Sequence, residues 1–156
     1  MMDFSDLDTA ELLTVGRRAF ELGARRIDQI AEMADPTDQP LRDVLRKMSL
    51  DAQIQAAAVE QLENLLPEEP ALATRPEDGL RLIQSYLSSL TKSLGEGPVH
   101  RDIALFLAES LEEETSRLCR VLAGHAREGR ARNVLAELAD REQKNFRYLR
   151  DVVLQG

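Results

Sequence analysis

The chain has no tryptophan, one cysteine, two histidines and only 4% aromatic residues over its 156 positions. Each shortage excludes something. A single cysteine, Cys119, leaves no internal disulfide framework and suits a reducing compartment. The two histidines, His100 and His125, would stand about 38 Å apart on one straight helix, too far to share a metal within the chain. Only 8 glycines and 6 prolines occur, mostly bunched between apolar-periodic segments. Alternating Val/Ile/Thr-rich runs of the kind that make strands are missing. So are long apolar runs: the opening "MMDFSDLD" is acidic with no apolar stretch behind it, so neither a signal peptide nor a membrane span is expected, and the cytoplasm is the expected compartment. There is no glycine-rich phosphate loop, no triad-like Ser/His/Asp signature and no H-E-x-x-H. Basic excess is lacking as well. With 20 Lys and Arg against 28 Asp and Glu the net charge is −8, and the bases are interleaved with acids, which argues against a nucleic-acid partner and for simple solubility.

What the chain has is helical periodicity. Hydrophobic residues make up 43% and charged residues 31%, with alanine and leucine dominant, which predicts one all-α domain over residues 1–156. A first helix is expected from Asp8, where "DTAE" sets a capping side chain before Glu11, to about Ala34. "DPTDQP" ends it, and Pro40 suits the first turn of a second helix reaching Leu66. "PEEPALATRP" breaks the pattern. "EDGLRLIQSYLSSLTKSL" then reads as a shorter helix ended by "GEGP". A third long helix runs from Pro98 to Ala126, and a fourth from Ala131 to Val153. The expected order is hairpin, long crossover, hairpin.

The two hairpins resemble each other. At one constant register Arg42 aligns with Arg132, Val44 with Val134, Leu45 with Leu135, Met48 with Leu138 and Gln53 with Gln143. A similar register pairs Ile27 with Cys119, Ile30 with Leu122, Ala31 with Ala123 and Ala34 with Ala126. Duplication of an ancestral hairpin and the generic likeness of amphipathic helices both account for this.

Polar groups interrupt the apolar stripes. The fourth helix has the line Leu135, Leu138, Glu142, Asn145, Leu149, and the third has Leu105, Ala108, Glu112, Thr115, Cys119, Leu122. Gln55 falls on the second helix's line Leu45, Met48, Ala52, Gln55, Val59, Leu62, while the first helix, with Gly16, Phe20, Ala24 and Ile27, has nothing polar there. Glu113 and Glu114, beside Glu112, are expected to be solvated. Cys119 is expected to be a buried, inert thiol, and Tyr86 and Tyr148 have no evident partner.

The hairpin–crossover–hairpin order, the Glu112…Cys119…Ala123 spacing and the L-A-x-x-E-x-x-N run from Leu138 to Asn145 together resemble the ferritin-like superfamily, and its rubrerythrin-related branch in particular. The resemblance covers nearly all of residues 8 to 153. It implies an antiparallel four-helix bundle in which two helices each give one Glu, and two each give Glu-x-x-His, to a dimetal centre. Carried over position by position, the third-helix Glu falls on Glu112 and the fourth-helix Glu-x-x-His on Glu142 and Asn145. The first-helix Glu falls on Phe20, with Glu21 one step off. The second-helix Glu-x-x-His falls on Ala52 and Gln55, with Asp51 displaced by one. Two carboxylates survive and neither histidine does, so no cofactor is expected. If any is held, it is a single hard divalent cation or iron on Glu112, Glu142 and Asn145.

The favoured expectation is a metal-free polar core cluster of Gln55, Glu112, Glu142 and Asn145, in which the two carboxylates share a proton. The function it implies is a non-catalytic binding or structural role. The alternative is a metal-dependent oxidoreductase or iron-handling protein with a rearranged site that recruits Glu21, Asp51, Glu60 or Glu109. A partner-binding helical adaptor unrelated to ferritins needs the amphipathic pattern alone. A homodimer is expected, with Leu90, Leu94 and the crossover as its patch.

Overall fold

The computed structural model describes residues 4–66 and 76–155, except the side chains of 76–78, 143, 145, 146, 148–150 and 152–155. Among the described residues the regular structure is helical: α1 (Thr9–Met33), α2 (Gln39–Leu65), α3 (Pro76–Tyr86), α4 (Arg101–His125) and α5 (Gly129–Gln155). Local chemistry sets the ends. Asp8 accepts from the Glu11 N–H at 2.8 Å while the Glu11 carboxylate takes the Asp8 N–H at 3.3 Å, a reciprocal cap on α1. Beyond Met33, Pro36 disfavours helical geometry at Asp35, whose side chain folds onto the Thr37 N–H and hydroxyl. Asp38 then caps α2, with Pro40 in its first turn. His100 accepts the Asp102 N–H at the head of α4, and Arg132 donates to the Ala126 and Arg127 carbonyls at its tail.

The four long helices pack as two hairpins laid together, α1 against α2 and α4 against α5, with α1 touching α4 and α2 touching α5 across the middle. Each stripe expected from the periodicity turns inward: Phe20 and Ile27 on α1, Leu45 and Val59 on α2, Leu111 and Leu122 on α4, and Leu135 on α5 are all buried. Gly16 faces the second hairpin: a Cβ there would sit 3.4 Å from both Leu122 Cδ1 and Leu135 Cδ2, in ordinary van der Waals contact. The Arg17 Nε–Glu63 Oε1 pair at 2.7 Å ties one end of the first hairpin, and Arg101 Nε on Asp38 Oδ2 at 2.7 Å ties the second hairpin to the loop of the first.

The crossover departs from expectation. Its helix stops at Tyr86 and a 3-10 turn follows at Ser88–Leu90. The reason is Glu114 on α4, which is buried rather than solvated as the sequence suggested. Its carboxylate accepts the Ser88 hydroxyl at 2.7 Å, the Ser89 N–H at 3.1 Å and the Ser89 hydroxyl at 3.2 Å, offering that segment an alternative to helical bonds. From α1, Arg26 grips the other side, donating to the Ser89 carbonyl at 3.2 Å and to the Lys92 carbonyl. Leu90 and Leu94 are half-buried and pack on the core, so they do not form the exposed patch expected of them. Gly95 and Gly97 take positive φ values of 72° and 82°, and the chain then docks Val99 N–H on the Met33 carbonyl at 2.6 Å. Tyr86 does have a partner, the Phe4 ring at 5.3 Å, and Phe4 in turn lies 6.1 Å from His125. Tyr148 lies outside the described side chains.

Two stability effects follow from this packing. Phe20→Ala is expected to cost about 3–5 kcal/mol in urea unfolding, the range for emptying a large core site. Glu114→Ala leaves three donors of the crossover turn without their acceptor, so a loss of about 1–3 kcal/mol is expected. Faster amide hydrogen exchange at Ser88–Lys92 than elsewhere in the variant checks the cause.

Candidate functional site

On α2, α4 and α5 the described polar residues singled out by periodicity occupy inward positions. Gln55 on α2 is 4% exposed, Glu142 on α5 is 5% exposed and Glu112 on α4 is 6% exposed, all core values for residues that seldom sit there unpaired. Asn145 lies one turn beyond Glu142 in α5, and its side chain is outside the described residues. The structure therefore brings Gln55 and Glu142 together directly and places Glu112 in the same interior.

Glu142 meets α2 from α5. Burial pushes its carboxyl up to about 8; the negative charge of Asp51 adds to the rise, and a side-chain hydrogen bond from Gln55 opposes it. At neutral pH most of the population therefore keeps the proton. Among the described residues the negative neighbour acting on Glu142 is Asp51, where the sequence pointed to Glu112. Asp51 sits one step off the α2 stripe, half-buried, and is steadied from outside by Lys47, Nζ to Oδ1 3.6 Å. That position on the shoulder of α2, between the inward line and solvent, is what offered Asp51 to a rearranged site in the sequence.

The Gln55 amide oxygen is buried and has no hydrogen-bond partner among the described residues. Three other buried polar side chains nearby in the fold are satisfied by helix carbonyls: Ser49 by Ala24 at 3.2 Å, Thr115 by Leu111 at 2.8 Å and Ser116 by Ala139 at 2.8 Å. Along with Glu11 Oε2 and Arg42 Nε, the acceptor on Gln55 is one of the buried side-chain atoms left unmet among the described residues. Beside it stands a carboxyl that holds a proton at neutral pH, which is a donor of the right kind.

Two of the four positions that the resemblance fills with carboxylates bring no donor atom here. Phe20 is 1% exposed and Ala52 is 4% exposed, both packed in hydrocarbon. Glu21 lies at the surface and pairs with Arg17 at 3.1 Å, Glu60 is exposed, and Glu109 is only half-buried. Of the four residues considered for a rearranged site, only Asp51 reaches Glu142 strongly enough to act on its charge. Among the described residues no three His, Cys, Asp or Glu side chains are grouped to hold a metal. Cys119 is fully buried, which pushes its thiol up to about 12 and leaves it no thiolate to act as a nucleophile. A cleft of about 450 Å³ between α1 and the crossover is lined by Leu22, Arg26, Leu80 and Leu90 among others, and includes no member of the polar cluster.

No family model matches the chain, and neither a curated protein nor a solved structure matches it. The molecule is defined by its helices and by the Glu142–Gln55–Asp51 contact at the α2–α5 seam.

The cluster has a pH signature. The folded value of Glu142, about 8, lies above its ordinary 4.5, so the folded protein binds this proton more tightly than the unfolded chain. Its contribution is complete below the ordinary value and is lost as pH rises through the folded value. Glu142→Gln keeps the shape without the charge. The variant is therefore expected to gain on the parent as pH rises, by on the order of 1–3 kcal/mol at pH ~8.5, in urea unfolding series begun near pH ~5.

Proposed function

We propose that this chain is a ferritin-like four-helix bundle that works without dimetal chemistry, as a cytoplasmic binding or structural module that pairs with a second copy of itself. The two hairpins and the crossover with its short helix support the bundle reading. The observation that carries the metal-free reading is the hydrocarbon at Phe20 and Ala52, together with a Gln55 amide turned to Glu142 where imidazole would face a metal. An amide oxygen is a poor replacement for imidazole toward iron or zinc. A carboxyl that keeps its proton at neutral pH must also lose it before it can ligate, which weakens any metal further.

A second reading is favoured by one feature. Asp51, Glu142 and the unpartnered oxygen of Gln55 form an all-oxygen set, the chemistry of a single hard cation such as Mg²⁺, Ca²⁺ or Mn²⁺, and from there of a metal-dependent oxidoreductase or iron-handling protein with a rearranged site.

Equilibrium dialysis of the purified chain against Fe²⁺, Mn²⁺ and Mg²⁺, followed by elemental analysis, separates the two. The expected result is no stoichiometric metal. Two irons per chain would sink the metal-free proposal, and one hard cation per chain that disappears in Glu142→Gln would establish the second reading.

A further inference from the structure

The outward face of α2 leaves large apolar side chains in solvent: Leu50 is 55% exposed and Ile54 is 59% exposed, with Ala57 and Ala58 also open to solvent. Leu50, Ile54 and Ala57 follow each other at steps of four and three, the spacing of a helix seam made for another helix. These residues point away from Gln55 and from the core, so the fold itself gives them no work.

The flank of that seam has a symmetry of its own. Arg46, Gln53 and Glu60 recur every seven residues, so all three lie along one edge of the stripe, and all three are exposed. The base stands toward the helix N-terminus, the acid toward its C-terminus and the neutral amide midway. Neither Arg46 nor Glu60 forms a salt bridge among the described residues.

A two-fold axis perpendicular to two antiparallel helices brings the same flank of each against the other, reversed in direction. With the axis beside Gln53, Arg46 of one copy meets Glu60 of the other at both ends, and the two Gln53 side chains, each donating to its own Ser49 Oγ at 3.3 Å, lie at the centre. Leu50 then packs against Ile54 of the other copy, twice. A parallel pairing would instead set Arg46 on Arg46 and Glu60 on Glu60.

We infer that α2 is the interface of an isologous, antiparallel homodimer, held by Leu50 and Ile54 and oriented by reciprocal Arg46–Glu60 pairs about Gln53. This rests on the reading of the chain as a self-associating module and names the face that does it; it does not depend on whether the interior holds a metal. The stripe from Arg46 to Glu60 is about 21 Å long. One helix face of that length covers less than the ~800 Å² per partner of a standard stable interface, so the dimer is a weak, reversible one.

Sedimentation equilibrium of the full chain across a wide concentration range is the test. The parent is expected to dimerise reversibly. Arg46→Glu and Glu60→Arg, each replacing two attractions with two repulsions, are each expected to weaken dimerisation about tenfold at low salt. The double variant R46E/E60R restores both pairs with the signs exchanged, keeps the net charge unchanged, and is expected to return the dissociation constant to within about threefold of the parent. Gln53→Cys is expected to form a disulfide-linked dimer on mild oxidation far faster than Glu113→Cys on the outer face of α4, the buried Cys119 contributing to neither. A chain that stays monomeric overturns both this interface and the self-association it rests on. A dimer indifferent to the single reversals, or not rescued by the exchange, overturns the α2 interface and leaves self-association standing.

Discussion

Four helices that share one interior must turn one stripe each toward it, and every side chain on those stripes is then taken out of water together. That shared desolvation governs the rest of the molecule. It rewards Leu45, Leu111, Leu122 and Leu135 for meeting, and it requires that Ser49, Thr115 and Ser116 find backbone carbonyls. For Glu142 the same constraint changes the chemistry. Deprived of water and faced by Asp51, its carboxyl keeps a proton that a surface carboxyl would lose, and an ordinary acid becomes a hydrogen-bond donor at neutral pH.

The crossover shows how a bundle of this kind holds a long connection in place without giving it a core of its own. Glu114 on α4 supplies an acceptor for an N–H and two hydroxyls of the 3-10 turn, and Arg26 on α1 supplies donors for its carbonyls. Both side chains belong to one long helix each, so the turn also bridges the two hairpins. Charge-assisted bonds of this type are short, directional and stronger than neutral ones, and here they add to the burial of Leu87 and the packing of Leu90 and Leu94 on the core.

Much of the fold was legible in the residues. The described residues of the four stripes, read from spacing alone, point inward, including Gln55, Glu112 and Glu142, because a 3.6-residue period is a property of the backbone and does not depend on neighbours. The Asp8–Glu11 cap and the turn at Pro36 were legible for the same reason, being made by residues close in sequence. Glu114 was misread as solvated because its partners lie in another segment, and nothing in the local pattern announces a three-donor turn across the helix. Leu90 and Leu94 were misread as an outer patch because the crossover's course over α1 and α4 is set by that same distant carboxylate.

The sequence by itself determined the helical class, the ends of the four long helices to within a few residues and which side of each is apolar, since these follow from propensity, capping and periodicity within a few residues. Tertiary structure alone decided which polar groups meet. Asp51 acts on Glu142 because α2 lies beside α5, Arg26 and Glu114 meet the crossover because α1 and α4 flank it, and Leu50 and Ile54 stay outside because no described helix covers them. The physical reason is the reach of the forces involved. Backbone geometry acts within a turn or two, whereas the electrostatics of a buried carboxyl depend on whatever the packing places beside it.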